Sequence, residues 1–236
     1  MINYLFYDNQ PFPPHRHADK DGLLAVGGNL TVNRLIEAYS AGIFPWYNEE
    51  PVLWWSPDPR FVLYPEKIKI SKSMKKILKD DIFEIRTDTD FTEVMIQCSK
   101  PRKKQRGTWI NTSMINVYSL LHEKGIAHSV EVYRNGTLAG GLYGVSTGKV
   151  FSGESMFSIE DNASKAALIS MAFVFRKYGF KLIDTQIHSP HLESLGAEYI
   201  PRKKYLEILS SSAEDTPSAE CWKEMFLNFK TSAIFQ

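Results

Sequence analysis

The amino-acid sequence predicts an α+β protein, with a small N-terminal α/β domain over residues 1–60 and a larger domain over residues 61–236 built on a mixed β-sheet. Three observations lead to this class. A segment of alternating apolar residues with two turn signals is followed by a long amphipathic helix, and a short apolar strand comes after that helix. This order of elements is typical of an α+β domain with a mixed sheet.

The N-terminal part contains one clear helix. Thr31 can cap it, and it runs to Ala41, where Gly42 ends it. The next stretch, GIFPWYNEEPVLWWSPDPR (residues 42–60), has four prolines and three of the five tryptophans. We interpret this stretch as an aromatic loop at the boundary between the two domains.

Helix signals recur in the larger domain. Ser71 or Ser73 begins a short basic helix, Thr89 begins another, and Asn111 caps a third helix that ends at Gly125. The alternation of residues 127–157, with turns at Asn135-Gly136 and at Thr147-Gly148, then predicts three antiparallel strands. The third of these strands is VFSGESMFS, residues 150–158.

The elements that follow complete the sheet. NASKAALISMAFVFRKYG (residues 162–179) is a strong helix, with an asparagine cap and basic residues in its last turn. KLIDTQI (181–187) is predicted to be a buried strand, and two short helices and a C-terminal segment close the chain. The N-acyltransferase (GNAT) fold has this order, with a central helix packed beside the strand that carries the reacting groups.

Composition and charge narrow the class of protein. Hydrophobic residues make up 43% and charged residues 23% of the chain, which is ordinary for a soluble globular protein. No apolar run is long enough for a membrane span, the N-terminus lacks the features of a signal peptide, and two cysteines favour a reducing compartment. We therefore expect a cytoplasmic protein without membrane contact.

Basic residues are concentrated in three runs although the net charge is only +1. The runs are KISKSMKKILK (69–79), KPRKKQR (100–106) and PRKK (201–204). Such runs can bind phosphates, or they can form a solvated lysine-rich surface, and the sequence supports both readings.

Three polar residues are candidates for chemistry. Glu154 lies in the middle of the predicted strand 150–158, and Asp184 and Gln186 lie two positions apart on LIDTQ, so they face the same side of a regular strand. Burying such groups costs free energy unless they are paired or used. They are therefore either structural groups bonded to backbone or members of an active site.

An apolar wall accompanies these polar groups. Leu168, Met171 and Phe175 form one stripe of the central helix, and this stripe is either ordinary core or the wall of a pocket. The residues that could complete an apolar cavity are Leu142, Phe151, Trp109 and Tyr118.

Several other kinds of site are disfavoured. No cysteine or histidine cluster has zinc spacing, which disfavours a metal site, and there is no P-loop and no G-x-G-x-x-G motif. The turn before the central helix, SIEDNASK, contains two acids and no glycine, which disfavours the pyrophosphate of an acyl-CoA donor. Two other functions remain open for a protein with these elements. One is an acyltransferase that uses CoA or builds peptidoglycan cross-bridges, and the other is an RNA-binding module without catalytic activity.

The order of several motifs resembles one known family, the leucyl/phenylalanyl-tRNA–protein transferases. The motifs include GLLAVGGNL, AYSAGIFPWY, LWWSPDPR, GGLYGVSTGKVFSGESMFS, LIDTQ and HLESLGAEYIPRKKY, and they extend from about residue 20 to about residue 206. The resemblance implies a small N-terminal domain, a larger N-acyltransferase domain and no cofactor. It also implies transfer of Leu or Phe, and of Met less well, from aminoacyl-tRNA to proteins that begin with Arg or Lys, which marks them for N-end rule degradation.

Under this resemblance the candidate residues receive roles. Asp184 would orient the acceptor α-amine, Gln186 would bind near the ester carbonyl, and Glu154 would stand at the pocket mouth to fix either the aminoacyl end or the acceptor. Trp46 and Trp109 are candidates for stacking the 3′-terminal adenine, or are aromatic core. The residues expected to bind the aminoacyl side chain are Tyr118, Leu142, Phe151, Leu168, Met171, Phe175 and Ile183. The oligomeric state does not follow from the sequence.

Overall fold

Two β-sheets organise the chain in the computed structural model, which describes residues 2–7, 9–101, 109–215 and 217–236. The smaller sheet has the strand order β1-β2-β4-β3, and one helix, α1 (Val32–Ser40), accompanies it. Its strands are β1 (Tyr4–Leu5), β2 (Leu23–Gly27), β3 (Phe44–Pro45) and β4 (Leu53–Trp55). The interpretation of residues 42–60 as a loop was therefore partly wrong, because β3 and β4 are too short to give an alternating pattern.

The larger sheet has seven strands in the order β11-β5-β10-β9-β8-β7-β6. They are β5 (Arg60–Leu63), β6 (Glu84–Thr87), β7 (Ala127–Arg134), β8 (Thr137–Thr147), β9 (Val150–Ser158), β10 (Leu182–Gln186) and β11 (Glu198–Ile200). Neighbouring strands are antiparallel except β9 and β10, so the sheet is mixed, as expected for an α+β protein. The predicted three-stranded meander is confirmed as β7–β9, and Asn135 and Gly136 form its first turn with φ values of 50° and 76°.

Among the described residues, seven further α-helices lie outside the small sheet's region. They are α2 (Lys72–Lys79), α3 (Phe91–Ser99), α4 (Thr112–Glu123), α5 (Ala163–Lys177), α6 (Pro190–Ser194), α7 (Arg202–Ser211) and α8 (Ala219–Met225). The side chains of Thr31, Ser71 and Asn111 accept the capping hydrogen bonds of α1, α2 and α4, as their sequences predict. The predicted start at Thr89 was wrong, because the side chain of Asp90 caps α3.

The two faces of the large sheet carry different cores. Helix α5 packs on one face together with α2, α8 and the C-terminal 3₁₀ helix (Thr231–Phe235). Helices α3 and α4 and the small sheet cover the other face. Within the part of the chain that the structure describes, no helix is both long enough and apolar enough to cross a membrane.

Candidate active site

The candidate site lies where the parallel strands β9 and β10 stop pairing. Their register runs from Leu182–Val150 to Asp184–Ser152, although both strands continue beyond that pair. Strand β10 is irregular between Asp184 and Gln186, and Gln186 has a φ of 66°, in the left-handed region that a residue with a side chain rarely adopts. Side chains therefore bridge the two strands beyond this point, and Gln186 Nε2 donates a hydrogen bond to Glu154 Oε1 at 2.6 Å.

Glu154 is held from three directions. The Tyr39 hydroxyl of α1 donates to its Oε1 at 2.7 Å, the Tyr118 hydroxyl of α4 donates to its Oε2 at 3.3 Å, and Gln186 donates from β10. The two tyrosine oxygens are themselves 2.5 Å apart. Helix α1 belongs to the N-terminal part of the chain, so both parts of the protein contribute to this network.

Of Glu154, Tyr39 and Tyr118, only Glu154 has a pKa near neutral pH. Burial raises the pKa of Glu154 to about 7, and the charge of Asp184 acts in the same direction, while the hydrogen bonds from Tyr39, Gln186 and Tyr118 oppose the rise. Burial and the neighbouring Glu154 raise the pKa of both tyrosines well above the usual range. Glu154 can therefore exchange a proton near pH 7 while the tyrosines remain hydrogen-bond donors.

Asp184 is fully buried, and protein groups surround its carboxylate. Arg60 makes two charge-assisted hydrogen bonds to it, from Nε to Oδ1 at 2.8 Å and from Nη2 to Oδ2 at 2.7 Å. The hydroxyls of Tyr205 and Ser152 donate to Oδ2 at 2.9 and 3.3 Å. The backbone N–H of Gln186 donates to Oδ1 at 3.0 Å, so Asp184 fixes the backbone of the residue that contacts Glu154.

Arg60 is a site residue that the sequence reasoning missed. It is buried, its guanidinium lies over the rings of Phe44 and Tyr205, and Asp184 raises its pKa against the opposing effect of burial. Among the described residues, its Nη1 has no hydrogen-bond partner. The only sequence signal for Arg60 was its place at the end of the WWSPDPR motif.

The three predicted polar residues are thus brought together. Gln186 contacts Glu154 through its side chain and Asp184 through its backbone. The expected role of Asp184 in orienting the acceptor α-amine requires contact with substrate, whereas its side chain is fully buried and both carboxylate oxygens accept from protein donors. Glu154 and Gln186 remain the groups at the divergence of the strands.

The predicted apolar residues separate into two sets. One buried cluster on the α5 face, which we call the apolar stripe, contains Leu142, Phe151, Leu168, Met171, Phe175 and Ile183. Trp109 and Tyr118 pack with the core on the opposite face, so the structure does not bring them to the stripe. Tyr118 instead directs its hydroxyl to Glu154.

The predicted nucleic-acid contacts differ in their exposure. Trp46 is exposed and packs against Trp55, with ring centroids 5.5 Å apart, whereas Trp109 is partly buried. Helix α2 exposes its lysines and buries Met74 and Leu78. Residues 102–106 of the basic run 100–106 lie outside the described residues, and residues 202–204 lie in the first turn of α7.

One cluster outside this network has the atoms of a cation site. Asp88, His122 and His128 each place a ligand atom within 4.8 Å of the others. His128 Nδ1 lies 2.7 Å from Asp88 Oδ2, and its Nε2 lies 3.1 Å from the Gly125 carbonyl oxygen. Protein groups therefore already contact both ring nitrogens of His128.

Comparison with known proteins agrees with this organisation. A family model described as leucyl/phenylalanyl-tRNA protein transferase matches residues 62–210, and a model of the N-terminal domain of the same family matches residues 28–58. A leucyl/phenylalanyl-tRNA–protein transferase from Nitrosomonas eutropha is 50% identical over 225 residues, which cover 94% of this chain and 96% of that protein. One from Myxococcus xanthus is 48% identical over 228 residues, covering 95% and 97%.

A solved structure, that of L-PGS from Bacillus licheniformis, aligns with a TM-score of 0.40 at 10% identity, over 86% of this chain and 65% of that one. The family models and the relatives of about half identity decide the assignment. The chain belongs to the leucyl/phenylalanyl-tRNA protein transferase family.

Proposed function

We propose that this protein transfers Leu or Phe, and Met less efficiently, from aminoacyl-tRNA to the α-amine of a protein or peptide that begins with Arg or Lys. The new peptide bond would mark the acceptor for degradation by the N-end rule pathway in the cytoplasm. One observation carries the proposal: the hydrogen bond from Gln186 to Glu154 at the divergence of β9 and β10. The family assignment supports the reaction class.

The fold supports an acyl transfer. Strand β9, helix α5 and the parallel strand β10 form the unit in which the N-acyltransferase fold carries its reacting groups, and we assign residues 61–236 to a domain of that type. We assign residues 1–60 to a small N-terminal domain. It contributes Tyr39, whose hydrogen bond to Glu154 ties it to the catalytic network.

The chemistry requires positioning more than a strong base. The neutral α-amine attacks the ester carbonyl carbon, a C–N bond forms, the C–O bond to the terminal ribose breaks, and the amine proton ends on the ribose hydroxyl. An α-amine has a pKa near 8, so about a tenth is neutral at pH 7, which costs about 1.4 kcal/mol. Orienting two reactants can supply about 7–11 kcal/mol.

The three polar residues have different roles in the transfer reaction. Gln186 Nε2 is the donor for the negative charge that develops on the carbonyl oxygen. Glu154 fixes an ammonium group, either that of the aminoacyl end or that of the acceptor, and its pKa of about 7 suits the removal of a proton. Asp184 positions Gln186 through its backbone and holds Arg60, because its carboxylate already accepts from protein donors.

The apolar stripe would receive the aminoacyl side chain. In such a pocket, two substrates that differ by one methylene differ in transition-state binding by only about 1–3 kcal/mol. This weak discrimination agrees with a site that accepts Leu, Phe and Met. Aminoacyl groups with β-branched side chains would be excluded from the pocket by its shape near Cβ. The stripe and the polar bridge share strands β9 and β10, since Phe151 and Glu154 lie on β9 and Ile183 and Gln186 lie on β10.

The surface residues would bind the tRNA. The exposed lysines of α2 and the basic first turn of α7 would contact phosphates without reading sequence. Tyr205 of α7 donates to Asp184, which keeps that basic turn next to the network. Trp46 and Trp109 would stack the terminal adenine, and the exposure of Trp46 suits that role.

The start of α5 favours a tRNA donor over acyl-CoA. The Ser158 hydroxyl accepts the backbone N–H of Ser164 at 3.2 Å, so this helix end already has a protein acceptor. Glu160 and Asp161 add negative charge beside it, where a pyrophosphate would be repelled.

A transfer assay tests the proposal. Leucine carried by labelled leucyl-tRNA should become attached to a peptide beginning with arginine, and not to the same peptide beginning with alanine. Leucyl-CoA with the arginine peptide is the matched donor control. Label transferred from the CoA ester and not from the tRNA would contradict the proposal, and tRNA binding without transfer would favour an RNA-binding module.

A further inference from the structure

Gln186 has a backbone conformation that needs support from other parts of the chain. Its φ of 66° lies in the left-handed region, which costs free energy for a residue that carries a side chain. The pairing of β10 with β5 is also irregular between Asp184 and Gln186. Side-chain direction follows the backbone, so a return of Gln186 to the extended conformation would redirect its amide away from Glu154.

The carboxylate of Asp184 provides part of this support. The backbone N–H of Gln186 donates to Asp184 Oδ1 at 3.0 Å. This hydrogen bond requires the carboxylate to keep its rotation, because Oδ1 has to face that N–H group. Whatever fixes the rotation of Asp184 therefore also fixes the backbone of Gln186.

Three side chains contact the carboxylate of Asp184, and they differ in what else they do. Arg60 donates to both oxygens and also neutralises the charge. The Tyr205 hydroxyl donates to Oδ2 at 2.9 Å, and the Ser152 hydroxyl makes a longer hydrogen bond of 3.3 Å to the same oxygen. Removing the Tyr205 hydroxyl would therefore release one side of the carboxylate and leave the ion pair with Arg60 in place.

Tyr205 is itself held firmly. It is buried, and the guanidinium carbon of Arg60 lies 4.6 Å from the centroid of its ring. The close approach of Gly42 encloses the ring, since a Cβ at this glycine would lie 2.8 Å from a Tyr205 ring atom. Burial and the charge of Asp184 raise the pKa of Tyr205 above the usual range, so its hydroxyl remains a hydrogen-bond donor.

Helix α7 gives Tyr205 a fixed base. The backbone N–H of Arg202, at the start of this helix, donates to Asp58 Oδ1 at 3.0 Å. Tyr205 follows three residues later, so its Cα lies about one turn from that anchor. Contacts therefore run without a break from α7 through Tyr205 and Asp184 to Gln186.

We propose that Tyr205 is a positioning residue of the transfer reaction, because its hydroxyl orients Asp184 and Asp184 in turn holds the Gln186 backbone that aims the amide donor. This inference rests on the proposed transfer from aminoacyl-tRNA and on the role given there to Gln186. Because Tyr205 is buried, it acts through these two residues and not by contact with a substrate.

The test compares Tyr205→Phe with the matched control Tyr64→Phe. Tyr64 packs against the same apolar cluster as Tyr205, and among the described residues its hydroxyl has no hydrogen-bond partner. Single-turnover transfer from leucyl-tRNA to an arginine peptide is measured with both substrates saturating, together with the affinity for leucyl-tRNA. Tyr205→Phe should slow transfer by about 10–100-fold, the order of effect that a small misplacement of a reacting group has, and leave the affinity within a few-fold of wild type. Tyr64→Phe should match wild type in both.

A double-mutant cycle shows whether Tyr205 acts through Gln186. In a Gln186→Ala protein, the further change Tyr205→Phe should slow transfer by about twofold or less, because the donor that it aims is absent. Ser152→Ala removes the longer hydrogen bond to the same oxygen, so it should slow transfer less than Tyr205→Phe does, and its effect should also disappear in Gln186→Ala. This second variant decides the question if Tyr205→Phe does not fold.

A wild-type rate in Tyr205→Phe would overturn the inference. Equal slowing by Tyr64→Phe, or an effect of Tyr205→Phe that persists in Gln186→Ala, would overturn it as well, since both results indicate a general loss of structure. A wild-type protein that transfers no leucine would instead refute the proposed function itself.

Discussion

Replacing Glu154 by glutamine isolates the titration of the carboxyl group at the divergence of β9 and β10. The amide has nearly the same shape and keeps an oxygen that can accept from the Tyr39 hydroxyl. It carries no charge at any pH. Burial raises the pKa of Glu154 from an ordinary value of 4.5 to about 7, so the wild-type protein and the variant should differ most in how their stability depends on pH.

The direction follows from proton linkage. Between pH 4.5 and pH 7 the folded protein keeps a proton on Glu154 that the unfolded chain has released. The resulting stabilisation is complete below the unfolded pKa and is lost as the pH rises through the folded pKa. At about 1.36 kcal/mol per unit, a difference of about 2.5 units corresponds to about 3 kcal/mol. Glu154 keeps part of its surface exposed to solvent, which reduces this value to about 2 kcal/mol.

The measurement is urea unfolding at about pH 5 and about pH 8.5 for both proteins, a range that spans the loss of the Glu154 proton. Relative to wild type, Glu154→Gln should gain about 1–1.5 kcal/mol of stability between the lower and the higher pH, because part of the difference is already lost at pH 5, above the unfolded pKa. Glu123→Gln, at an exposed position of α4, is the control and should show no such gain. Parallel pH dependence in wild type and Glu154→Gln would refute the assignment of a raised pKa to Glu154.

The remaining predictions concern the partners of this network and the basic surface. Asp184→Asn leaves the buried Arg60 without its counter-charge and should lower the free energy of unfolding by about 3–5 kcal/mol; stability within 1 kcal/mol of wild type, about the value of a single ordinary hydrogen bond, would contradict it. Tyr39→Phe removes a hydrogen bond that lowers the pKa of Glu154. If transfer requires ionised Glu154, the rate rises with pH as Glu154 loses its proton, and in Tyr39→Phe this rise should occur at higher pH. A pH–rate profile identical to that of wild type would argue against a role of Tyr39 in setting the pKa of Glu154. Binding of charged tRNA should weaken as salt rises, and Lys76→Gln should reduce the slope of log affinity against log salt by about 1; an unaltered slope would remove that lysine from the interface.

Local signals in the sequence predicted most helices and the central strands. The caps Thr31, Ser71 and Asn111 and the Asn135-Gly136 turn act within a few residues, and each is found as predicted. Short strands were missed because their formation depends on distant partners. Strand β5, for example, is paired with β10, about 120 positions further along the chain, and has only four residues to show a pattern.

The contrast between local signals and distant partners also explains which site residues could be predicted from the sequence. Glu154, Asp184 and Gln186 stand out because polar groups interrupt apolar strands. Arg60 and Tyr39 acquire their roles through partners 124 and 115 positions away, which no local pattern contains. For that reason the sequence suggested that Asp184 faces a substrate, whereas the structure pairs it with Arg60.

The central claim is that chemistry occurs where Gln186 and Glu154 bridge the diverging strands. The most direct test is single-turnover transfer by Gln186→Ala with both substrates saturating, together with the affinity for charged tRNA. Loss of one donor to a developing oxyanion should slow transfer by about 10²–10³-fold and leave tRNA binding within a few-fold of wild type. Transfer at the wild-type rate, with tRNA bound normally, would place the reaction elsewhere in the molecule.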